Sequence, residues 1–90
     1  MKEFPRVSAC VVLYRSGEQA LETLQCLEDS RPRPEIFVVD NHSDDGLAAR
    51  VAERFPDIRL LPQAENLGFG RGNNVVLPLL HSEYHLLCNP

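Results

Sequence analysis

Four short apolar runs rich in β-branched residues alternate with three stretches of helical periodicity, and this alternation is the tightest constraint on the fold. The first run, Val7 to Leu13, is nearly continuously apolar, as expected of a strand covered on both faces. Glu35 to Val39, Ile58 to Leu61 and Tyr84 to Cys88 are the others. After the first run, Ser16 and Gln19 read as a capping box, and Ala20, Leu21, Leu24 and Leu27 follow at helical spacing. Pro32 and Pro34 stop that helix. Leu47, Ala48, Val51, Ala52 and Phe55 make a second amphipathic stretch, closed by Pro56. A third opens at Gly68 and carries Val75, Val76, Leu79 and Leu80, with Pro78 inside it predicting a kink. The connections are too long for hairpins, so the order β-α-β-α-β-α-β predicts a parallel sheet with helical crossovers. The expected architecture is a three-layer α/β/α domain with a Rossmann-like sheet, its first strand central between the second and the fourth.

Composition narrows the class. Ninety residues are one domain's worth of chain, and 43% hydrophobic with 24% charged residues excludes disorder. Nine Lys and Arg against thirteen Asp and Glu give a net charge of −4, the wrong sign for binding nucleic acid or an anionic membrane. The longest apolar run, Ala9 to Tyr14, is far short of the ~20 residues that cross a bilayer. Glu3 and Pro5 interrupt any leader pattern, so a cytoplasmic protein is expected. Cys10, Cys26 and Cys88 are odd in number and lack metal spacing, which reads as buried or half-buried thiols in a reducing compartment.

Open parallel sheets bind ligands beyond the carboxyl ends of their strands. Those ends offer Tyr14 and Arg15 after the first strand, Asp40 and Asn41 after the second, and Asn89 after the fourth. Asp40 and Asn41 could present an acceptor and an amide to a planar ligand edge. They could equally make a turn, with Ser43 to Asp45 capping the next helix, and both roles can hold together. Gly68 to Gly72, opening a helix with Arg71 inside, reads either as a phosphate loop or as a tight loop-to-helix entry. His81 to His85 does not follow a helical zinc motif and reads as surface or edge histidines.

Taken in order, four segments resemble the start of family 2 glycosyltransferases, closest to the rhamnosyltransferase-like branch. They are Val7 to Tyr14, Ile36 to Gly46 with its Asp40-Asn41 pair, Glu65 to Asn74, and Glu83 to Pro90. The resemblance covers essentially the whole chain and implies the N-terminal part of a GT-A fold. Residues 1–90 would be a single donor subdomain that binds a nucleotide sugar, a portion of a longer enzyme. By that resemblance Val12, Tyr14, Asp40 and Asn41 hold base and ribose, while Gly68, Gly72, Asn73 and Asn74 lie beside the nucleotide. The implied activity is inverting, metal-dependent sugar transfer from a dTDP- or UDP-sugar to a glycan or lipid-linked acceptor. The acceptor would be held by the missing part, at the cytoplasmic inner face of the membrane. Mg²⁺ or Mn²⁺ would serve the full-length enzyme, through an Asp expected directly after Asn89 and Pro90.

Two residues depart from the family's pattern: Arg15, where Asn is common, and Pro78. With no metal Asp and no catalytic base before Pro90, the segment alone is expected to bind no metal and to turn over no donor. The bare fourth strand is expected to promote self-association. The competing reading is a non-catalytic nucleotide-binding or receiver-like signalling module. A receiver needs an acidic pair after its first strand, where this chain has Tyr14 and Arg15, and an Asp after its third, where it has Leu61 and Pro62. A nucleotidyltransferase would need a longer basic, glycine-rich loop than Ser16 and Gly17 supply.

Overall fold

β1 (Val7–Leu13) runs between two neighbours, and every residue from Ser8 to Leu13 is buried in the computed structural model, which describes residues 6–90. Glu3 and Pro5, which bore on the leader pattern, lie outside the described residues. The chain continues through α1 (Glu18–Asp29), β2 (Glu35–Asp40), α2 (Leu47–Arg54), β3 (Arg59–Pro62), α3 (Gly68–Asn74), a single 3₁₀ turn (Leu77–Leu79) and β4 (Tyr84–Cys88). The four strands pair in parallel in the order β3-β2-β1-β4. The register sets Leu13 beside Asp40, and Val11 beside both Val38 and Cys88. This is the expected sheet, with its first strand inside.

Alternation along β1 and β2 divides the core in two. Val11, Leu13, Ile36 and Val38 face α1 and α2, where Ala20, Leu21, Leu24, Leu47, Val51 and Phe55 cover them. Cys10, Val12, Phe37 and Val39 face the other way, under Val76 and the partly buried Val75, Leu79 and Leu80. The two helices that carry the chain from β1 to β3 therefore lie on one face. The return past β1 to β4 lies on the other, which is where the strand order reverses.

Local structure departs from the sequence reading in three places. The capping box does not form: Gly17 is the N-cap at φ 68°, and the Ser16 hydroxyl accepts instead from the Tyr14 amide at 3.4 Å. A turn through Arg15 at φ 54° and Gly17 consumes the residues that would have capped. The third helix stops at Asn74 instead of kinking at Pro78. Proline has no amide to donate, and it lies in the first turn of the 3₁₀ segment, where none is required. Cys26 is exposed, whereas Cys10 and Cys88 are buried and half-buried as expected; burial pushes the Cys10 thiol up to about 11, so it stays protonated.

At the amino ends of the strands, the Ser8 hydroxyl lies 2.6 Å from both Ser82 Oγ and His85 Nδ1, stitching β1 to β4. His85 Nε2 is buried with no partner among the described residues, and desolvation holds this histidine below its ordinary value of 6.5.

Two outcomes follow from this core. Phe37 is fully buried, so Phe37→Ala should cost about 3–5 kcal/mol, a large share of a small domain's stability. Leu77→Ala, at a half-exposed site, should stay within ~0.5 kcal/mol; urea midpoints at unchanged slope measure both. Because the folded state disfavours protonated His85, unfolding takes up a proton below pH 6.5. Stability should therefore be complete above that value and decline as pH falls beneath it, until the lowered folded pKa is passed. Denaturant titrations across that window should show this slope shrinking in His85→Gln.

Candidate functional site

The carboxyl ends of β1 and β2 and the entry to α3 meet at one place, and their side chains are largely bonded to one another. Asp40, the last residue of β2, is buried; its Oδ1 accepts from the Ser43 amide at 3.1 Å and the Ser43 hydroxyl at 2.7 Å. That hydroxyl also reaches the Leu13 carbonyl at 3.4 Å, and the Asn41 amide donates to the same carbonyl at 2.9 Å. The loop after β2 is thus tied to the end of β1. His42 at φ 60° and Gly46 at φ 78° give it its curvature. Asp45 Oδ1 accepts from the Leu47 amide at the start of α2, as the capping reading expected, but Asp44 faces Arg15 at 3.6 Å across open solvent.

Asn41 is the joint between the two halves of the site. It is 1% exposed, its Nδ2 donates to the Gly68 carbonyl at 3.0 Å, and its Oδ1 accepts from the Leu67 amide at 3.3 Å. The Gly68 amide donates to Asn66 Oδ1 at 2.9 Å. Two backbone amides at the α3 entry are therefore accepted within the chain, and the glycine segment acts here as a tight loop-to-helix entry. Gly68, at φ 81°, takes a conformation that side chains resist. Gly72 answers a different need: a Cβ there would lie 3.0 Å from a Val12 methyl and 3.1 Å from Asn41 Nδ2.

The residues singled out in the sequence separate accordingly. Val12, Asn41, Gly68 and Gly72 are packed or bonded together, and Asp40 lies beside them at the end of the strand. The Asp40 Oδ2 carries no hydrogen bond among the described residues. Asn73 is buried and donates to the Phe69 carbonyl at 2.9 Å, while its Oδ1 is buried without a partner. Tyr14 is exposed with the Arg15 guanidinium 5.3 Å above its ring, and Asn74 is also exposed. Arg15 takes φ 54°, a region that asparagine tolerates far better than arginine. Ser43, read as part of the cap of the next helix, bonds Asp40 instead, and Leu67 escaped the sequence reading. A serine three residues beyond an aspartate was the available signal for the first; the second contributes only backbone, which no residue type announces.

A cleft of about 670 Å³ lies at the opposite end of the sheet, lined in part by Arg33, Glu35, Arg59 and Ser82. Two of its lining arginines are paired, Arg33 to Glu28 at 2.6 Å and Arg59 to Glu35 at 3.7 Å. Among the described residues, no group of three or more His, Cys, Asp or Glu side chains could hold a metal ion, and His81 and His85 do not form one. No described helix is long and apolar enough to cross a membrane.

Residues 8–89 match glycosyl transferase family 2. The chain is similar to the N-acetylglucosaminyl-diphospho-decaprenol L-rhamnosyltransferase of Mycobacterium tuberculosis, in strains CDC 1551 / Oshkosh and ATCC 25618 / H37Rv alike. Identity is 36% over 64 residues, which is 70% of this chain and 21% of that protein. In structure it is similar to the mannosyltransferase PcManGT from Pyrobaculum calidifontis, solved in complex with GDP-Man and Mn²⁺. The TM-score is 0.78 at 28% identity, over 97% of this chain and 28% of that one. The chain thus spans under a third of the length of either protein. The α/β arrangement with a parallel sheet is that of a GT-A glycosyltransferase's N-terminal part.

Two glycines in α3 should respond to alanine with opposite signs. At Gly72 the neighbours that must yield are Val12 and the doubly bonded Asn41, so overpacking of about 1–3 kcal/mol outweighs the gain in helix propensity. At Gly70 nothing lies within 4 Å, and alanine should gain up to about 1 kcal/mol. Thermal or urea unfolding of the two variants measures the difference.

Proposed function

The chain belongs to glycosyl transferase family 2, and from that premise we propose that it is the donor-nucleotide-binding part of an inverting enzyme that transfers sugar from a dTDP- or UDP-sugar. The likeness, over nearly the whole chain, to a mannosyltransferase that holds GDP-Man supports a nucleotide-sugar donor; the choice of a pyrimidine over that protein's guanine is carried by the Asp40 carboxylate. The acceptor is a glycan or a lipid-linked sugar, a reading supported by the lipid-diphosphate rhamnosyltransferase among its relatives. With such an acceptor the whole protein would work at the cytoplasmic face of a membrane, in polysaccharide synthesis. Mg²⁺ or Mn²⁺ would neutralise charge on the departing diphosphate of the whole enzyme.

The site's hydrogen-bond inventory supports a pyrimidine donor. Asp40 Oδ1 is filled by Ser43, which leaves one oxygen, Oδ2, to receive a base. A uracil or thymine edge presents a single N–H between two carbonyls, which one acceptor satisfies. Guanine presents two adjacent donors and would leave one unpaired, and adenine would set a ring nitrogen acceptor against the carboxylate. Asn41 is buried, with one amide hydrogen on the Gly68 carbonyl and its oxygen on the Leu67 amide. Its part is to hold the loop, while Tyr14 offers an exposed ring at the end of β1.

One unpaired polar group in a partly desolvated pocket costs ~1–3 kcal/mol, about 5- to 150-fold in affinity. Titration calorimetry with dTDP, UDP, GDP and ADP should show the two pyrimidine nucleotides binding tighter by that margin. Asp40→Asn can keep its oxygen on Ser43 while turning the free acceptor into a donor, and should abolish the preference. Equal affinity for all four nucleotides, or a preference that survives the substitution, would overturn the assignment.

A further inference from the structure

Among the described residues, two that are not glycine take positive φ, Arg15 at 54° and His42 at 60°, and they stand on the turns that follow β1 and β2. A long side chain in that region carries backbone strain, which persists only where the surroundings impose it. At Arg15 they do. The Ser16 hydroxyl accepts from the Tyr14 amide at 3.4 Å, and the guanidinium folds back to lie 5.3 Å from the centre of the Tyr14 ring. Asp44, on the turn after β2, stands 3.6 Å from it. The side chain thus reaches from the end of β1 to the loop that begins at Asp40.

A pyrimidine edge has more to satisfy than its N–H. On the donor reading above, on which this inference rests, Asp40 Oδ2 takes that N–H, and the carbonyl on either side of it calls for a hydrogen-bond donor. The polar side chains next to Asp40 are bonded within the chain, Asn41 to Leu67 and Gly68, and Ser43 to Asp40 itself. Arg71 is carried by α3 and stands 4.0 Å from Glu65. Arg15 instead sits just past Leu13, whose carbonyl accepts from the Asn41 amide and the Ser43 hydroxyl, so its turn is tied to the Asp40 loop. Its contact with Asp44 is longer than a hydrogen bond, which leaves its N–H groups open to a ligand.

We propose that Arg15 is the second residue that reads the base: its guanidinium donates to one of the two carbonyls beside the N–H that Asp40 accepts. A guanidinium suits the place, because its flat face packs on an aromatic ring while its N–H edge stays free, and it is charged at every working pH. Positive φ at Arg15 is what turns the side chain back over Tyr14 and toward the base.

Titration calorimetry with UDP and its 2-thio and 4-thio analogues tests this. Sulfur in place of a carbonyl oxygen is a poor acceptor, while the N–H remains for Asp40. One of the two analogues should bind the parent chain about tenfold weaker than UDP or worse, the usual weight of a hydrogen bond to a charged group. In Arg15→Gly, which takes positive φ freely and has no side-chain donor, UDP should weaken by a similar factor and the gap between UDP and that analogue should close. The variant should still unfold cooperatively in urea. Equal binding of all three ligands by the parent, or a gap that persists in Arg15→Gly, overturns the role of Arg15. So does a loss in Arg15→Gly that appears with UDP and not with uridine, which would put the guanidinium on phosphate. Where any of these is found and UDP still binds tighter than GDP, Arg15 alone leaves the base site; where UDP and GDP bind equally, the pyrimidine reading falls with it.

Discussion

Burial of β1 on both faces and both edges is the constraint from which the other layers follow. A strand with six successive buried residues must be covered by helices above and below, and must satisfy its backbone through neighbours on each side. β2 and β4 supply those neighbours, and the faces are closed by α1 and α2 on one side and by Val75 to Leu80 on the other. The ends of such a strand are the only places where its residues can leave the core. Polar groups therefore gather beyond Leu13 and around Asp40, as the α/β layering requires.

Around those ends, the same few side chains serve both structure and binding. Asn41 closes a circuit between the end of β2 and the entry of α3, and Gly72 lets the helix approach within van der Waals contact of Val12 and Asn41. The circuit holds Asp40 beside a fixed wall of backbone, with one oxygen anchored by Ser43. A pocket assembled this way selects by what remains unbonded, because the groups committed to the loop are no longer free to adapt to a ligand. Asp40 is the clearest case: half of its carboxylate is architecture.

The sequence made the large elements readable and obscured the small ones, for a consistent physical reason. Val7 to Leu13 and Glu35 to Val39 announce buried strands through residue type, and Leu21, Leu24 and Val51 announce helix faces through spacing. Those signals come from hydrophobic burial, which side-chain chemistry reports directly. The Ser16 cap failed because positive φ at Arg15 and Gly17 redirected the chain, and backbone conformation is only weakly encoded by a polar residue. The end of α3 was misplaced because Val75, Val76, Leu79 and Leu80 keep helical spacing through a 3₁₀ turn. At the site, the Asp40-Asn41 pair was legible as a polar ending to an apolar strand. The division of labour between them was not, because it depends on Leu67 and Gly68, whose contribution comes from main-chain groups 26 and 27 residues further along.

The pairing of β1 with β4 sets an order of events during folding. Ser8 and His85 are 77 residues apart in the chain, yet they bond across adjacent strands. β1, α1 and β2 can form early from nearby contacts, but one edge of β1 stays open until β4 has been synthesised. Parallel pairing over such a separation is slow, since loop closure must precede any gain from contact. A nascent chain therefore carries its most apolar strand half-paired until Tyr84 to Cys88 have been made, in the state most exposed to chaperones and to aggregation.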